Sequence, residues 1–263
     1  MKNVVFLLAI IGCIALVVAG KFHWDEKIEQ SVHPVSAEEE SSSELENESE
    51  KVIEQPISND ELKELVANFP EQLQEKMMAS NDPISVVMVG SESIGTKDSG
   101  LQTIVEEGLA SSYWKGAFTV EQLTFKKETT ETIVEEKLYK DVIEKNPDVV
   151  FLEAFTLNDN GNVTIDEGHQ NLSAIISKLN KGIPGVSVIL MPSNPISDPQ
   201  YYSYQISALA KYAEAKDYVY LDHWKEWPPV DGEKIDDYLL DARPNDKGFE
   251  VWGDVIVDYM SGK

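Results

Sequence analysis

The chain has 263 residues and a formal net charge of −25, from 47 acidic against 22 basic side chains, with one cysteine. A chain this acidic is repelled by phosphates, which argues against nucleic acid as a partner. The lone cysteine, Cys13, leaves the rest of the chain without a disulfide or thiolate metal ligands, and no cofactor or metal is expected.

Residues 1–20 (MKNVVFLLAIIGCIALVVAG) carry one lysine followed by an uncharged apolar run. This predicts a membrane anchor or an export signal, with the bulk of the chain outside the cytoplasm and Lys2 inside. A secreted, cleaved product is the alternative. Residues 21–58 include AEEESSSELENESE and cannot bury enough apolar surface to order themselves, so they predict an acidic, disordered linker acting as a tether.

Residues 59–82 predict a helical lead-in: Asn59 or Asp60 as N-cap, Leu62, Leu65, Val66 and Phe69 on one face, a break at Pro70, then Leu73, Met77 and Met78. From residue 83 to 263 short apolar runs alternate with amphipathic segments. Strands are expected near 84–89, 118–125, 149–155, 186–191 and 218–221, and helices near 101–113, 131–144, 170–179, 202–215 and 247–260. Such alternation implies right-handed crossovers, hence an α/β domain with a parallel five-stranded sheet and helices on both faces.

In open sheets of this kind ligands bind at the carboxyl edge. Three turns fall there. The first strand stops at Gly90 and delivers Ser91 and Ser93 onto a tight turn, where either is a candidate nucleophile or simply a helix cap. The run VVFLEAF is followed by Thr156, Leu157 and Asn158. That asparagine amide suits an oxyanion donor, though Asn-Asp-Asn-Gly also reads as an Asx turn. The loop LDARPNDKG precedes the last helix, where Asp241 could orient a base and Arg243 could hold an anion, or the pair could be structural.

Three blocks, VVMVGSESIG, PDVVFLEAFTLND and LLDARPNDKGFEVW, together resemble the SGNH/GDSL hydrolase family. The resemblance implies a flavodoxin-like, three-layer α/β/α domain, a serine nucleophile, an oxyanion hole that includes Asn158, and an Asp and His near the C terminus. Counting from the glycine selects Ser91 as nucleophile; matching an acid followed by a serine selects Glu92 and Ser93. The family's second-block glycine has no counterpart in FKKETTE, Thr156 replaces the third-block glycine, and Arg243 precedes Pro244 where the family has histidine. Arginine stays protonated at neutral pH and is no general base.

Among the four histidines, His223 in VYLDHWKEW lies at the carboxyl edge and is either the candidate base or a packed, hydrogen-bonded residue beside Trp224, with Glu92 or Asp241 as substitute bases. Tyr201, Tyr202, Trp224 and Trp227 in nearby loops suit either sugar stacking or loop packing. The expected activity is serine esterase or deacetylase chemistry on an acylated carbohydrate or other small ester, plausibly a cell-envelope polysaccharide. The alternative is an inactive domain of the same fold that binds a glycan or an envelope partner.

Overall fold

The computed structural model describes residues 57–263. The apolar anchor and most of the acidic tether lie outside the described residues. Among these residues no helix is long and apolar enough to cross a membrane.

After Pro83 the chain extends as β1 (Ile84–Gly90). Its side chains alternate between two cores, as a two-residue period requires. Ile84, Val86 and Met88 join one cluster, and Val87 and Val89 the other. The same alternation runs through β3 (Val149–Glu153) and β4 (Ser187–Met191). With β2 (Phe118–Thr124) and β5 (Val219–Tyr220) they form one sheet in the order β2-β1-β3-β4-β5, every neighbour parallel. This is the flavodoxin-like order, and it reverses direction at β1 and β3.

Helices cover both faces. On one, α3 (Leu101–Ser112) packs against α9 (Asp246–Met260), burying Leu101, Val105, Trp252 and Ile256. On the other, α7 (Ile165–Gly182) and α8 (Tyr201–Ala215) bury Leu172, Ile176 and Leu209. The lead-in helices α1 (Asn59–Leu65) and α2 (Glu71–Ala79) add Leu62, Leu73 and Met77 to the first core.

Three boundaries differ from the sequence expectation. Ser58 caps α1, because Glu61 three residues on completes a capping box that Asn59 or Asp60 lacks. The helix expected over 131–144 is two, α4 (Thr130–Glu135) and α5 (Tyr139–Lys145). Lys137 has φ 62°, and Leu138 N–H reaches back to the Ile133 carbonyl at 3.1 Å, so a Schellman turn ends α4. The helix expected from 170 begins at Ile165, where Thr164 and Glu167 form a second capping box.

Candidate active site

At the end of β1, Gly90 is required by crowding. A Cβ there would lie 2.7 Å from Glu153 Cβ and 2.9 Å from Ile94 Cγ2. The missing side chain admits the Glu153 carboxylate beneath the turn. Ser91 follows as the N-cap of a 3-10 turn (Glu92–Ile94), its hydroxyl accepting from Ser93 N–H at 3.2 Å. Ser93 is itself buried in that turn.

Glu153, the last residue of β3, is fully buried and is the residue that sequence reasoning missed. Its Oε2 accepts from Ser91 N–H at 2.6 Å, and its Oε1 accepts from the Ser193 hydroxyl. The Ser91 hydroxyl and Phe155 N–H also favour the charged form of this carboxylate. Phe155 adopts a left-handed conformation at φ 55°, which for a bulky residue costs about 1–2 kcal/mol. Burial pushes the Glu153 carboxyl above the ordinary glutamate range, while the donated hydrogen bonds pull it part of the way back.

The network continues inward. Thr156 Oγ1 donates to Ser193 Oγ at 2.9 Å and accepts from Ser193 N–H at 3.1 Å. Tyr202 OH lies 3.2 Å from Thr156 Oγ1 and donates to the Asn194 carbonyl at 3.1 Å. The strand ends of β1, β3 and β4 are thus tied around one carboxylate. An acid at the end of VVFLEAF was the available signal: a charged group closing a strand buried on both faces must have partners.

The other candidates are placed as follows. The expected Asx loop is a short helix, α6 (Thr156–Asp159), on which Asn158 Nδ2 donates to the Glu128 carbonyl at 2.8 Å. The amide thereby braces the loop after β2, where the family resemblance lacks its glycine. Glu92 is held by Lys127 N–H at 2.9 Å and faces Arg243 Nη2 at 3.6 Å. Burial works against its charge, but the hydrogen bonds and the Arg243 and Lys127 charges prevail and hold its carboxyl below the usual range.

Asp241 does not join the serines. With Ala242 it forms the exposed two-residue turn of a hairpin linking Leu239–Leu240 to Arg243–Pro244, and φ values of 51° and 61° mark the primed turn that suits twisted strands.

His223 is sealed. It is 0% exposed, its ring stacked on Trp252 at 4.0 Å. Trp227 Nε1–H donates to Nδ1 at 3.0 Å, and because an indole nitrogen only donates, Nδ1 is unprotonated. The proton therefore sits on Nε2 and is donated to the Pro192 carbonyl at 3.0 Å. Burial depresses its pKa to about 3, the Pro192 bond opposing. No ring nitrogen is left to take a proton from a serine, so of the two readings of His223 the packed, hydrogen-bonded one describes it. Among the described residues no group of His, Cys, Asp and Glu is arranged to hold a metal.

No family model and no curated protein matches the chain by sequence. Solved structures do match. A lipase/acylhydrolase from Enterococcus faecalis is 22% identical, with a TM-score of 0.54, over 68% of this chain and 96% of that one. An acetylxylan esterase from Geobacillus stearothermophilus is 15% identical, with a TM-score of 0.55, over 68% of this chain and 94% of the other. At these identities the likeness is one of fold: the matched part of the chain adopts the three-layer α/β/α fold seen in the SGNH/GDSL hydrolases.

Proposed function

We propose that this chain is a serine ester hydrolase that removes an acyl or acetyl group from a carbohydrate of the cell envelope. The observation that carries the reading is the placement of the buried Glu153 carboxylate directly beneath the Ser91 turn, where it accepts from Ser91 N–H at the carboxyl edge of the sheet. The esterase neighbours support ester chemistry, and the apolar residues 1–20 support placement outside the cytoplasm.

In this mechanism Ser91 Oγ attacks the acyl carbon while Glu153 takes the hydroxyl proton. The charge on the former carbonyl oxygen is met by the Asn158 amide, which exchanges the Glu128 carbonyl for it. Collapse expels the sugar alkoxide, which recovers the proton from Glu153, and water then releases the acyl group with Glu153 again as base. Because burial raises Glu153, turnover climbs with pH through a pKa above the ordinary glutamate range.

A second reading is favoured by one feature. Ser91 N–H and Asn158 Nδ2, the donors in the two oxyanion positions, are both spent on protein acceptors, and Ser91 is only 1% exposed. The same edge then binds an envelope glycan without hydrolysing it. A fluorophosphonate probe and an acetyl-ester assay separate the two. Hydrolysis requires labelling lost in Ser91→Ala and turnover lowered about 100-fold or more in Glu153→Gln. Labelling that is absent, or that survives in both Ser91→Ala and Ser93→Ala, sinks the esterase and leaves binding.

A further inference from the structure

The 22 basic residues comprise 21 lysines and a single arginine, Arg243. That arginine is not on the outer helices among the lysines. It lies on the hairpin that packs against the 3-10 turn carrying Ser91 and Glu92. The hairpin is anchored from beneath: Asn194 Nδ2 donates to the Ala242 carbonyl at 3.1 Å, tying it to the edge where Ser193 bonds Glu153.

The guanidinium is left largely open. Its side chain is 57% exposed, and its approach to Glu92 Oε1 is 3.6 Å, a charge contact rather than a hydrogen bond. Its five N–H donors, arranged as a planar fork, are not consumed by that contact. Glu92 is meanwhile satisfied from the other side by Lys127 N–H, and the Lys127 charge acts on it as well. The Arg243 and Lys127 charges therefore both act on one carboxylate beside the Ser91 turn. Acidic Asp241 stands at the exposed turn of the same hairpin.

We infer that Arg243 is an anion hook: the ligand of this edge carries an oxyanion, a carboxylate or phosphate, that docks in the guanidinium fork beside Ser91. This rests on the carboxyl edge being a ligand site and holds whether the site hydrolyses its ligand or only binds it. A uronic-acid glycan and a phosphate-bearing one present the same charge at this position. A neutral acetylated sugar does not.

The lone arginine makes the test direct, since its side-chain Nε–H gives a single resonance in the full-length chain labelled with 15N-arginine. Glucuronate, inorganic phosphate, glucose and sodium chloride at matched ionic strength are titrated in turn. The expected result is a saturable shift with glucuronate or phosphate, with a Kd on the order of 1 mM, and none with glucose. A shift with glucuronate alone assigns a carboxylate ligand, and one with phosphate alone a phosphate ligand. Calorimetry on Arg243→Gln is expected to lose that binding at least fivefold. No saturable shift, an equal shift with chloride, or undiminished affinity in Arg243→Gln overturns the inference. Turnover is not read, so a chain that binds glucuronate yet takes no fluorophosphonate refutes hydrolysis alone.

Discussion

Two fully buried titratable groups lie near the carboxyl edge of the sheet, and they are buried in opposite ways. Glu153 accepts from Ser91 N–H and the Ser193 hydroxyl, so its charged form has partners, and it lies directly beneath the Ser91 turn. His223 is clamped between Trp227 and Trp252, with both nitrogens engaged, so only its neutral form fits. Burial alone therefore does not mark a reactive group. What matters is whether a proton can be exchanged with an atom at the site.

The comparison breaks most readily at Glu153. Glu153→Gln keeps the shape but removes the base, and turnover is expected to fall by a factor of about 100 to 10,000, together with loss of the alkaline-rising profile. A steady-state pH series checks both.

His223 is expected to act on stability instead. Its folded pKa, about 3, lies below its unfolded value, so the folded state excludes a proton that the unfolded chain accepts. Stability is full above about pH 6.5 and is lost as pH falls toward 3, by up to several kcal/mol. Urea melts of His223→Gln across this window are expected to show a lower plateau at neutral pH and a flatter acid limb. An unchanged acid limb contradicts the clamp.

Asp159 carries the opposite sign. Buried and held by Thr130 N–H at 2.8 Å and Thr130 Oγ1 at 2.6 Å, it titrates at about 6, raised chiefly by burial. Its contribution is present below about pH 3.8 and is lost as pH rises through about 6, on the order of 1–2 kcal/mol after solvent screening. Asp159→Asn is expected to remove that slope from the same melts. The smallest effect belongs to Asp241: Asp241→Gly at the exposed left-handed turn is expected to change stability by no more than about 0.5 kcal/mol, and turnover not at all.

The architecture was legible in the sequence because strand and helix periods are local properties. The alternation of Val86 and Met88 against Val87 and Val89, and the βα repeats that follow, required no partner to be read. Ser91 at the strand end was legible for the same reason. Asn158 and Asp241 are expected at the carboxyl edge from the sequence, but the loop expected at Asn158 is a helical turn whose amide braces Glu128. Asp241, in turn, sits at an exposed hairpin tip.

What tertiary structure decided is which polar groups meet. Glu153 and Ser193 are 40 residues apart and become partners only because β3 and β4 are neighbours in the sheet. His223 becomes inert because Trp227 and the Pro192 carbonyl engage its two nitrogens while α9 brings Trp252 over its ring. Sequence by itself determined the elements, their order and the edge where a site belongs, since those follow from propensity and hydrophobic period along the chain. The protonation states and pairings at that edge came from packing, because desolvation and hydrogen bonding depend on residues that the linear pattern does not place together.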